Sequence, residues 1–290
     1  MKPTQWNLIN KVCNKEFSSL SGKLHNFFRK NNFTEAYYQN YLDVLTACEN
    51  PKSIGMFKHY NESFPLRQTN QMGLEYAILS NPGTDFYCFT TSYRLEDDIN
   101  KGRHNTIFPM VEFEINKGTI DELIDFEKDM IRHLGYTGEF LELDYNEACE
   151  NFKTNEIDDH EENLLCQKYA PVVFLKKFPE STDPFFNMER DHNGLSNKVD
   201  VIMLGTNTIG ETRGMETIGS AVRSTDVEQM KDSFKTSVNG KYSKTLYEKF
   251  GQDRVDQELK EYFAMNMIPR SGGGIGFTRL LNFMRYNNLL

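Results

Sequence analysis

The stretch from Ile268 to Met284, IPRSGGGIGFTRLLNFM, constrains the fold of this 290-residue chain more than any other. Three consecutive glycines, Gly272 to Gly274, and then Gly276 carry no Cβ, so the backbone can approach another surface closely. Apolar residues recur after them at helical spacing: Phe277, Leu280, Leu281 and Met284. The pattern predicts a glycine-rich strand or turn that leads into a helix, with Arg279 in its first turn.

Arg279 would lie at the helix end where the helix dipole disfavours a cation. A guanidinium stays charged and can bind phosphate through two parallel hydrogen bonds. A polyanion lying across the glycines would therefore explain the position of Arg279. A glycine hinge before an ordinary amphipathic helix is the alternative interpretation.

Composition limits the class of protein. With 38% hydrophobic and 13% aromatic residues the chain can bury a substantial core. It contains no run of eighteen apolar residues and no leader-like start, which predicts a cytoplasmic protein with no membrane partner. The five cysteines are scattered and form no CxxC pair, which argues against a disulfide framework or a zinc site. The formal net charge of −9 argues against tRNA as a partner.

Residues 93–115 have the pattern of a hairpin with a charged loop. Charges on such a hairpin can be purely structural. However, the segments YRLE, at 93–96, and RHNTIF, at 103–108, resemble motif 2 of the class II aminoacyl-tRNA synthetases, and GGGIGFTR, at 272–279, resembles their motif 3. The residues that carry the motif 2 resemblance are Arg94, Glu96, Arg103, His104 and Phe108.

The resemblance implies an ATP site. Its residues would be Arg94, Glu96, Arg103, His104, Phe108, Glu216, Gly276 and Arg279. By the resemblance Arg94 contacts the α-phosphate and the substrate carboxylate, and Phe108 stacks on adenine. Arg94 and Arg279 are the implied catalytic residues, because two anions that react together need fixed positive charge beside them. Glu216 is the implied ligand of Mg²⁺, an ion that prefers oxygen donors.

Three further segments resemble the asparaginyl and aspartyl branch of this class: TACE at 46–49, TNQMGLE at 69–75 and METIGSAVR at 215–223. The implied substrate-binding residues are Glu49, Gln71, Arg94, Gly219, Ser220 and Arg223. Glu49 and Gln71 would hold the α-ammonium group, because a buried cation needs an anion and an acceptor beside it. Arg223 would bind the far end of the substrate and select a carboxylate or a carboxamide. Leu74 stands where the aspartyl enzymes carry a lysine, so aspartate and asparagine both remain open.

The implied fold is α+β: a class II aminoacyl-tRNA synthetase-like, mainly antiparallel sheet flanked by helices, in a homodimer. We divide the chain into an N-terminal helix, 1–32, and a catalytic domain, 33–290. The apolar periodicity predicts a helix over 119–134 and a short buried strand over 200–205. Residues 227–264 are predicted to form two surface helices without a motif.

The resemblance covers about residues 33–285, which would leave no room for the N-terminal anticodon-binding domain of this branch. Freestanding cores of this kind resemble the ammonia-dependent asparagine synthetases. We therefore expect an AMP-forming ligase that adenylates aspartate or a close analogue and transfers the acyl group to ammonia or another amine. One alternative is a truncated asparaginyl- or aspartyl-tRNA synthetase paralogue that acts on a tRNA or another acceptor. A non-catalytic regulator that binds ATP and an amino acid is another, since Ile107 and Thr278 replace acidic residues of the family.

Overall fold

The structure is a computed structural model that describes residues 12–37, 44–46, 53–95, 106–207 and 210–290. Four of the predicted site residues therefore lie outside the described residues: Glu49, Glu96, Arg103 and His104. The other predicted site residues are all described.

Most strands belong to one large sheet. In chain order they are β1 (Thr34–Glu35), β4 (Phe86–Tyr93), β5 (Ile107–Ile115), β6 (Leu141–Asp144), β7 (Val172–Phe178), β8 (Ser196–Thr206), β9 (Thr212–Arg223) and β10 (Arg270–Gly276). Two further strands, β2 (Met56–His59) and β3 (Glu62–Pro65), form a separate hairpin. The spatial order of the large sheet is β1-β4-β5-β10-β9-β8-β7-β6. Its pairings are antiparallel except those of β1 with β4 and of β6 with β7.

Helices cover both faces of this sheet. They are α1 (Asn14–Lys30), α2 (Gln71–Ser80), α3 (Ile120–His133), α4 (Tyr145–Phe152), α5 (Asp159–Lys168), α6 (Val227–Thr236), α7 (Lys241–Phe250), α8 (Gln252–Phe263) and α9 (Phe277–Tyr286). The predicted α+β architecture, an antiparallel sheet flanked by helices, is confirmed. Within the part of the chain that the structure describes, no helix has the length and apolar character needed to cross a membrane.

Helices α1, α3 and α9 pack on one face of the sheet and form its largest core. Leu24, Phe28, Met130 and Leu281 are all buried there. The Phe28 ring stacks on Tyr87 of β4 with a centroid distance of 4.4 Å. Because α1 shares this core with the sheet, it is part of the same hydrophobic unit, and the division after residue 32 stays a prediction.

The glycine-rich stretch forms the central strand β10, and α9 follows it directly with Arg279 in the first turn, as predicted. The protein itself requires two of the glycines. A Cβ on Gly272 would overlap the carboxylate of Glu114 and the carbonyl oxygen of Phe113, and one on Gly273 would come within 2.8 Å of the carbonyl oxygen of Gly219. A Cβ on Gly276 would meet no atom closer than 3.5 Å, so this glycine leaves open space at the helix start.

The prediction of two surface helices over 227–264 is wrong. Three helices, α6, α7 and α8, occupy this segment. Their apolar faces pack with α2 into a second core on the other face of the sheet, where Phe234, Tyr242, Leu246 and Tyr262 are buried. The charged residues between these positions suggested exposure, but they lie on the outer faces of amphipathic helices.

The predicted strand over 200–205 lies in the second half of the longer strand β8, which pairs with β9 from Lys198 to Thr206. The polar segment 206–214 lies at the end of this hairpin, and β9 already begins at Thr212. The hairpin brings residues of β8 opposite the predicted substrate-binding residues of β9.

Candidate active site

A cleft of about 460 Å³ opens on the sheet face that carries α2, α6, α7 and α8. All predicted site residues that the structure describes line this cleft: Gln71, Arg94, Phe108, Glu216, Gly219, Ser220, Arg223, Gly276 and Arg279. They come from five separate stretches of sequence, which the fold brings together.

Strand register orders the floor of the cleft in rows. Glu112 of β5, Gly274 of β10 and Gly219 of β9 are direct neighbours across three strands. Two residues further along each strand, Glu114, Gly272 and Ala221 form the next row. Alternate residues of a strand share a face, so both rows face the cleft. The glycines of β10 and the small residues of β9 form the cleft floor, and the two glutamates of β5 border it on one side.

One end of the cleft carries cations and an aromatic ring. The guanidinium carbon of Arg94 lies 5.4 Å from the centroid of the Phe108 ring. Arg279 donates from Nη1 to the carbonyl oxygen of Glu216 at 2.5 Å, and the same nitrogen lies 3.8 Å from the Glu216 carboxylate. Two guanidinium groups, an aromatic face and the open backbone at Gly276 suit a nucleotide phosphate chain and base.

Two carboxylates converge above Gly219, and sequence analysis found only one of them. A side chain at Gly219 would meet Glu216 Oε1 at 2.7 Å and Asp200 Oδ1 at 3.7 Å. Asp200 Oδ1 is buried and has no hydrogen-bond partner among the described residues, while Oδ2 accepts a bond from Lys198 Nζ at 2.8 Å. An orphaned carboxylate oxygen beside a second carboxylate fits a divalent cation that prefers oxygen ligands.

The chain itself offers few ligands for such a cation. No cluster of three or more His, Cys, Asp or Glu side chains that could hold a metal occurs in the described ranges. A metal bound by Asp200 and Glu216 would complete its shell with phosphate oxygens and water, which is the usual pattern for Mg²⁺. The burial of Asp200 raises the pKa of its carboxyl to about 7, against the opposing effect of Lys198.

Glu112 is a second functional candidate, and sequence analysis assigned it no role in the site. It is 2% exposed, lines the cleft, and accepts hydrogen bonds from the Thr69 hydroxyl and from the Asn70 backbone N–H. Gln71, the predicted partner of an α-ammonium group, follows directly at the start of α2. An anion and an amide at one wall of the cleft form a suitable site for a substrate cation.

Behind the cleft wall lies a buried ionic network centred on Glu75, which is fully buried in α2. Its Oε2 accepts bonds from Arg270 Nη2 and Tyr262 OH, both at 2.6 Å, and its Oε1 accepts from Asn187 Nδ2 at 2.5 Å and Gln71 Nε2 at 2.9 Å. Burial alone would raise the pKa of Glu75, but Arg270 and Arg223 hold it below its ordinary value. Burial alone would lower the pKa of Arg270, but the neighbouring Glu75 carboxylate outweighs this effect and raises that pKa above its ordinary value.

Arg223 connects this network to the cleft. It is 3% exposed, and its Nε donates to Glu114 Oε1 at 2.7 Å and lies 3.8 Å from Glu75. In the described part of the chain its two terminal nitrogens have no hydrogen-bond partner. Burial raises the pKa of Glu114 to about 7, although Arg223 opposes the shift. Arg223 forms no ion pair with the nearby Asp226, which caps α6 instead.

Ser220 contributes to the cleft through its backbone. Its hydroxyl lies on the opposite face of the sheet and donates to the Val199 carbonyl at 3.3 Å. Below it, both oxygens of the buried Glu127 of α3 lack a hydrogen-bond partner within the described ranges. Burial raises the pKa of Glu127 to about 8, while the nearby Ser220 hydroxyl lowers it slightly. A side-chain contact from Ser220 to a substrate would need a different rotamer.

The rest of the cleft wall comes from segments without a motif. Val238 and Tyr242, near the start of α7, line it opposite the loop after β7, and the Val238 N–H donates to Asp183 Oδ1 at 3.1 Å. Sequence analysis assigned no role to either residue. His160 is exposed in the first turn of α5 and does not line the cleft.

Comparison with known proteins identifies the family. Residues 15–288 match the family described as tRNA synthetases class II (D, K and N). No curated protein gave a significant sequence match.

Solved structures with this fold are also synthetases. Asparaginyl-tRNA synthetase from Pyrococcus horikoshii, complexed with asparaginyl-adenylate, shares 19% identity at a TM-score of 0.73, over 93% of this chain and 64% of that one. Asparaginyl-tRNA synthetase from Entamoeba histolytica, in complex with asparaginyl-adenylate, shares 18% identity at a TM-score of 0.71, over 98% of this chain and 71% of that one. Aspartyl-tRNA synthetase from the same organism shares 20% identity at a TM-score of 0.66, over 95% of this chain and 55% of that one. The chain thus spans between 55% and 71% of the length of these proteins.

Proposed function

Because the chain belongs to the family of class II tRNA synthetases (D, K and N), we propose that it is an ATP-dependent, AMP-forming ligase that adenylates aspartate or a close analogue. The observation that supports this most is the arrangement of one cleft. Arg94, Phe108 and Arg279 lie at its nucleotide end, and Gln71, Glu112 and Arg223 line its floor and far end.

The reaction follows from this arrangement. A substrate carboxylate oxygen attacks the α-phosphorus of ATP, the bond to the bridging oxygen breaks, and diphosphate leaves. Arg94 is placed to neutralise both the carboxylate and the α-phosphate, whose repulsion otherwise opposes the approach. In the proposed reaction Arg279 contacts the leaving diphosphate, and Glu112 with Gln71 holds the substrate ammonium group in position.

Asp200 and Glu216 are the residues that would hold Mg²⁺. Bound there, the ion supplies positive charge to the phosphate oxygens. Lys198 keeps one oxygen of Asp200 engaged, so the orphaned oxygen faces the cleft side of Gly219.

The second half of the proposed reaction transfers the acyl group to ammonia or another amine. The amine nitrogen attacks the acyl carbon, the bond to AMP breaks, and the amine releases its proton to solvent. The overall reaction therefore yields an amide, AMP and diphosphate. A tRNA acceptor, as in a truncated synthetase paralogue, is the second candidate, because the matched structures are tRNA synthetases. We also expect a cytoplasmic homodimer, which ultracentrifugation and cell fractionation would test.

Amino-acid-dependent exchange of labelled diphosphate into ATP tests the activation step. We expect exchange with aspartate or a close analogue and with no more than a few of the other amino acids. Formation of AMP and amide on addition of ammonium would then identify ammonia as the acceptor, and AMP formation only with tRNA would favour the paralogue. Tight ATP binding without exchange for any amino acid would contradict the enzyme and favour the non-catalytic regulator.

A further inference from the structure

The two candidate metal ligands each turn one oxygen towards the other ligand and one towards a cation. Asp200 Oδ1 and Glu216 Oε1 converge above Gly219, where an added Cβ would lie 3.7 Å from the first and 2.7 Å from the second. Asp200 Oδ2 accepts a hydrogen bond from Lys198 Nζ at 2.8 Å. Glu216 Oε2 lies 3.8 Å from Arg279 Nη1. The inner oxygens of the two carboxylates therefore converge, and each outer oxygen faces a positive charge.

The fold fixes Lys198 beside Asp200. Both residues lie on β8 two positions apart, so their side chains share one face of the sheet. The Lys198 side chain is 25% exposed, and its Nζ also lies 4.2 Å from the centroid of the buried Phe178 ring. The face of an aromatic ring attracts a cation, which keeps the ammonium group at this position. The positive charge of Lys198 is thus a fixed part of the site.

These pairs reduce the negative charge that the protein offers to a metal ion. When both carboxylates are ionised, Lys198 and Arg279 balance the charges of Asp200 and Glu216. Glu162 adds one negative charge outside the cleft, where its Oε2 accepts a hydrogen bond from the Glu216 backbone N–H at 3.2 Å. A divalent cation between the inner oxygens would share each carboxylate with a cation, and like charges repel strongly where water is partly excluded.

The phosphates of a nucleotide would supply the missing negative charge. In the proposed ATP complex they lie at the same end of the cleft, where Arg279 can bind phosphate oxygens in addition to Glu216. Proteins usually hold Mg²⁺ through one or two carboxylates together with substrate phosphates. The inner oxygens of Asp200 and Glu216 suit this shared coordination.

We infer that Lys198 is a positioning residue of the metal site: it neutralises Asp200, so that a divalent cation binds poorly to the free protein and enters together with ATP. The inference rests on the proposed function and deepens it, because it links metal binding to nucleotide binding through a residue that no motif assigned.

The test compares the full-length wild type with Lys198→Met, Lys198→Gln, Lys198→Arg and Lys176→Met. Lys176, on the neighbouring strand β7, pairs with Glu142 and does not line the cleft, so it controls for the loss of a sheet lysine. Mn²⁺ is the probe, and electron paramagnetic resonance measures its binding with and without a non-hydrolysable ATP analogue. The titrations are made at pH 8, above the pKa of about 7 of Asp200, and circular dichroism checks folding.

We expect the wild type to bind Mn²⁺ at least roughly a hundred-fold more weakly without the analogue than with it. Lys198→Met and Lys198→Gln should each raise the Mn²⁺ affinity of the nucleotide-free protein roughly ten- to a hundred-fold, because a like charge beside the site is lost. The affinity in the presence of the analogue should change less, since the phosphates already balance the ammonium. Lys198→Arg keeps the charge and should resemble the wild type, as should Lys176→Met.

An unchanged or lower Mn²⁺ affinity in the folded, nucleotide-free neutral variants would overturn the inference and leave the proposed ligase intact. An equal gain in Lys176→Met would overturn it too, as would a wild type that binds Mn²⁺ equally well with and without the analogue, a comparison that needs no variant. A wild type that does not bind the analogue would instead reject the proposed function. The Mn²⁺ affinities of the nucleotide-free proteins would still decide the role of Lys198 in that case.

Discussion

The two ends of the cleft use the same types of residue in different environments. At the nucleotide end Arg279 is 26% exposed and Glu216 is 37% exposed. At the far end Arg223 is 3% exposed, and Arg270 and Glu75 are fully buried. Exposed charges contribute little to stability, whereas removing one partner of a buried pair leaves a desolvated charge. The nucleotide end is therefore expected to serve binding alone, and the far end both binding and folding.

Arg270→Met should give the largest loss of stability. It leaves Glu75 buried without its closest cation, and we expect a decrease of about 3–5 kcal/mol in the free energy of unfolding. Urea denaturation would measure it. The matched control is Arg29→Met, which removes the exposed pair with Glu35 and should lower stability by at most about 1 kcal/mol. Similar losses in both variants would contradict the distinction between buried and exposed pairs.

Arg223→Leu should abolish most activity with aspartate. The far-end carboxylate would then be buried without its guanidinium partner. We expect kcat/KM for the amino acid to fall roughly a hundred- to a few-thousand-fold, which corresponds to a loss of about 3–5 kcal/mol in transition-state stabilisation. The KM for ATP should stay close to normal. The loss of stability should be smaller than in Arg270→Met, because the raised pKa of Glu114, about 7, lets that carboxyl take up a proton instead. Steady-state kinetics and urea denaturation on the same preparation check both parts.

Glu127 extends the comparison to a buried carboxyl group whose pKa is not lowered by a neighbouring arginine. Its pKa is raised from 4.5 to about 8, chiefly by burial. The folded state thus binds this proton more tightly than the unfolded state, so the stabilising effect is complete below about pH 4.5 and is lost as the pH rises through about 8. The loss is at most about 4 kcal/mol by pH 8.

Glu127→Gln should remove this part of the pH dependence, since a carboxamide cannot ionise. The difference between wild type and variant, measured by urea denaturation from pH 5 to pH 8.5, should grow in favour of the variant as the pH rises. Asp125→Asn, on the exposed face of the same helix, is the control and should keep the wild-type slope. A constant difference across the pH range would mean that Glu127 is ionised in the folded protein at neutral pH.

Arg279→Leu should have the smallest effect on folding and a selective effect on ATP. Glu216 is the only hydrogen-bond and ion-pair partner of this arginine among the described residues, and loss of the arginine should cost less than about 1 kcal/mol of stability. Losing a charge-assisted contact to phosphate should raise the KM for ATP roughly ten- to a hundred-fold. A fall in stability comparable to that of Arg270→Met would place Arg279 in the structural network instead.

Sequence patterns predicted the parts of the site that are local. The glycine strand with its helix, the hairpin ending in Ile115 and the step from Glu216 to Arg223 each lie within a short stretch. Their spacing carries the geometry, because β-strand and helix periods fix which residues share a face.

Contacts between distant segments could not be predicted in this way. The bond from Arg270 to Glu75 spans 195 residues, and the meeting of Asp200 with Glu216 depends on how β8 pairs with β9. Lys198 sits in an unremarkable strand pattern, and only its register places it beside the cleft. The helices over 227–264 were misjudged for the same reason, since nothing local shows that α2 covers their apolar face.

The separate kinetic constants for ATP and aspartate, measured by diphosphate exchange in Arg223→Leu and Arg279→Leu, test the account most directly. The account predicts a crossed result: a large rise in the KM for aspartate alone in Arg223→Leu, and a rise in the KM for ATP alone in Arg279→Leu. Equal effects on both substrates in the two variants would contradict it, because the cleft would then have no separate nucleotide and far ends.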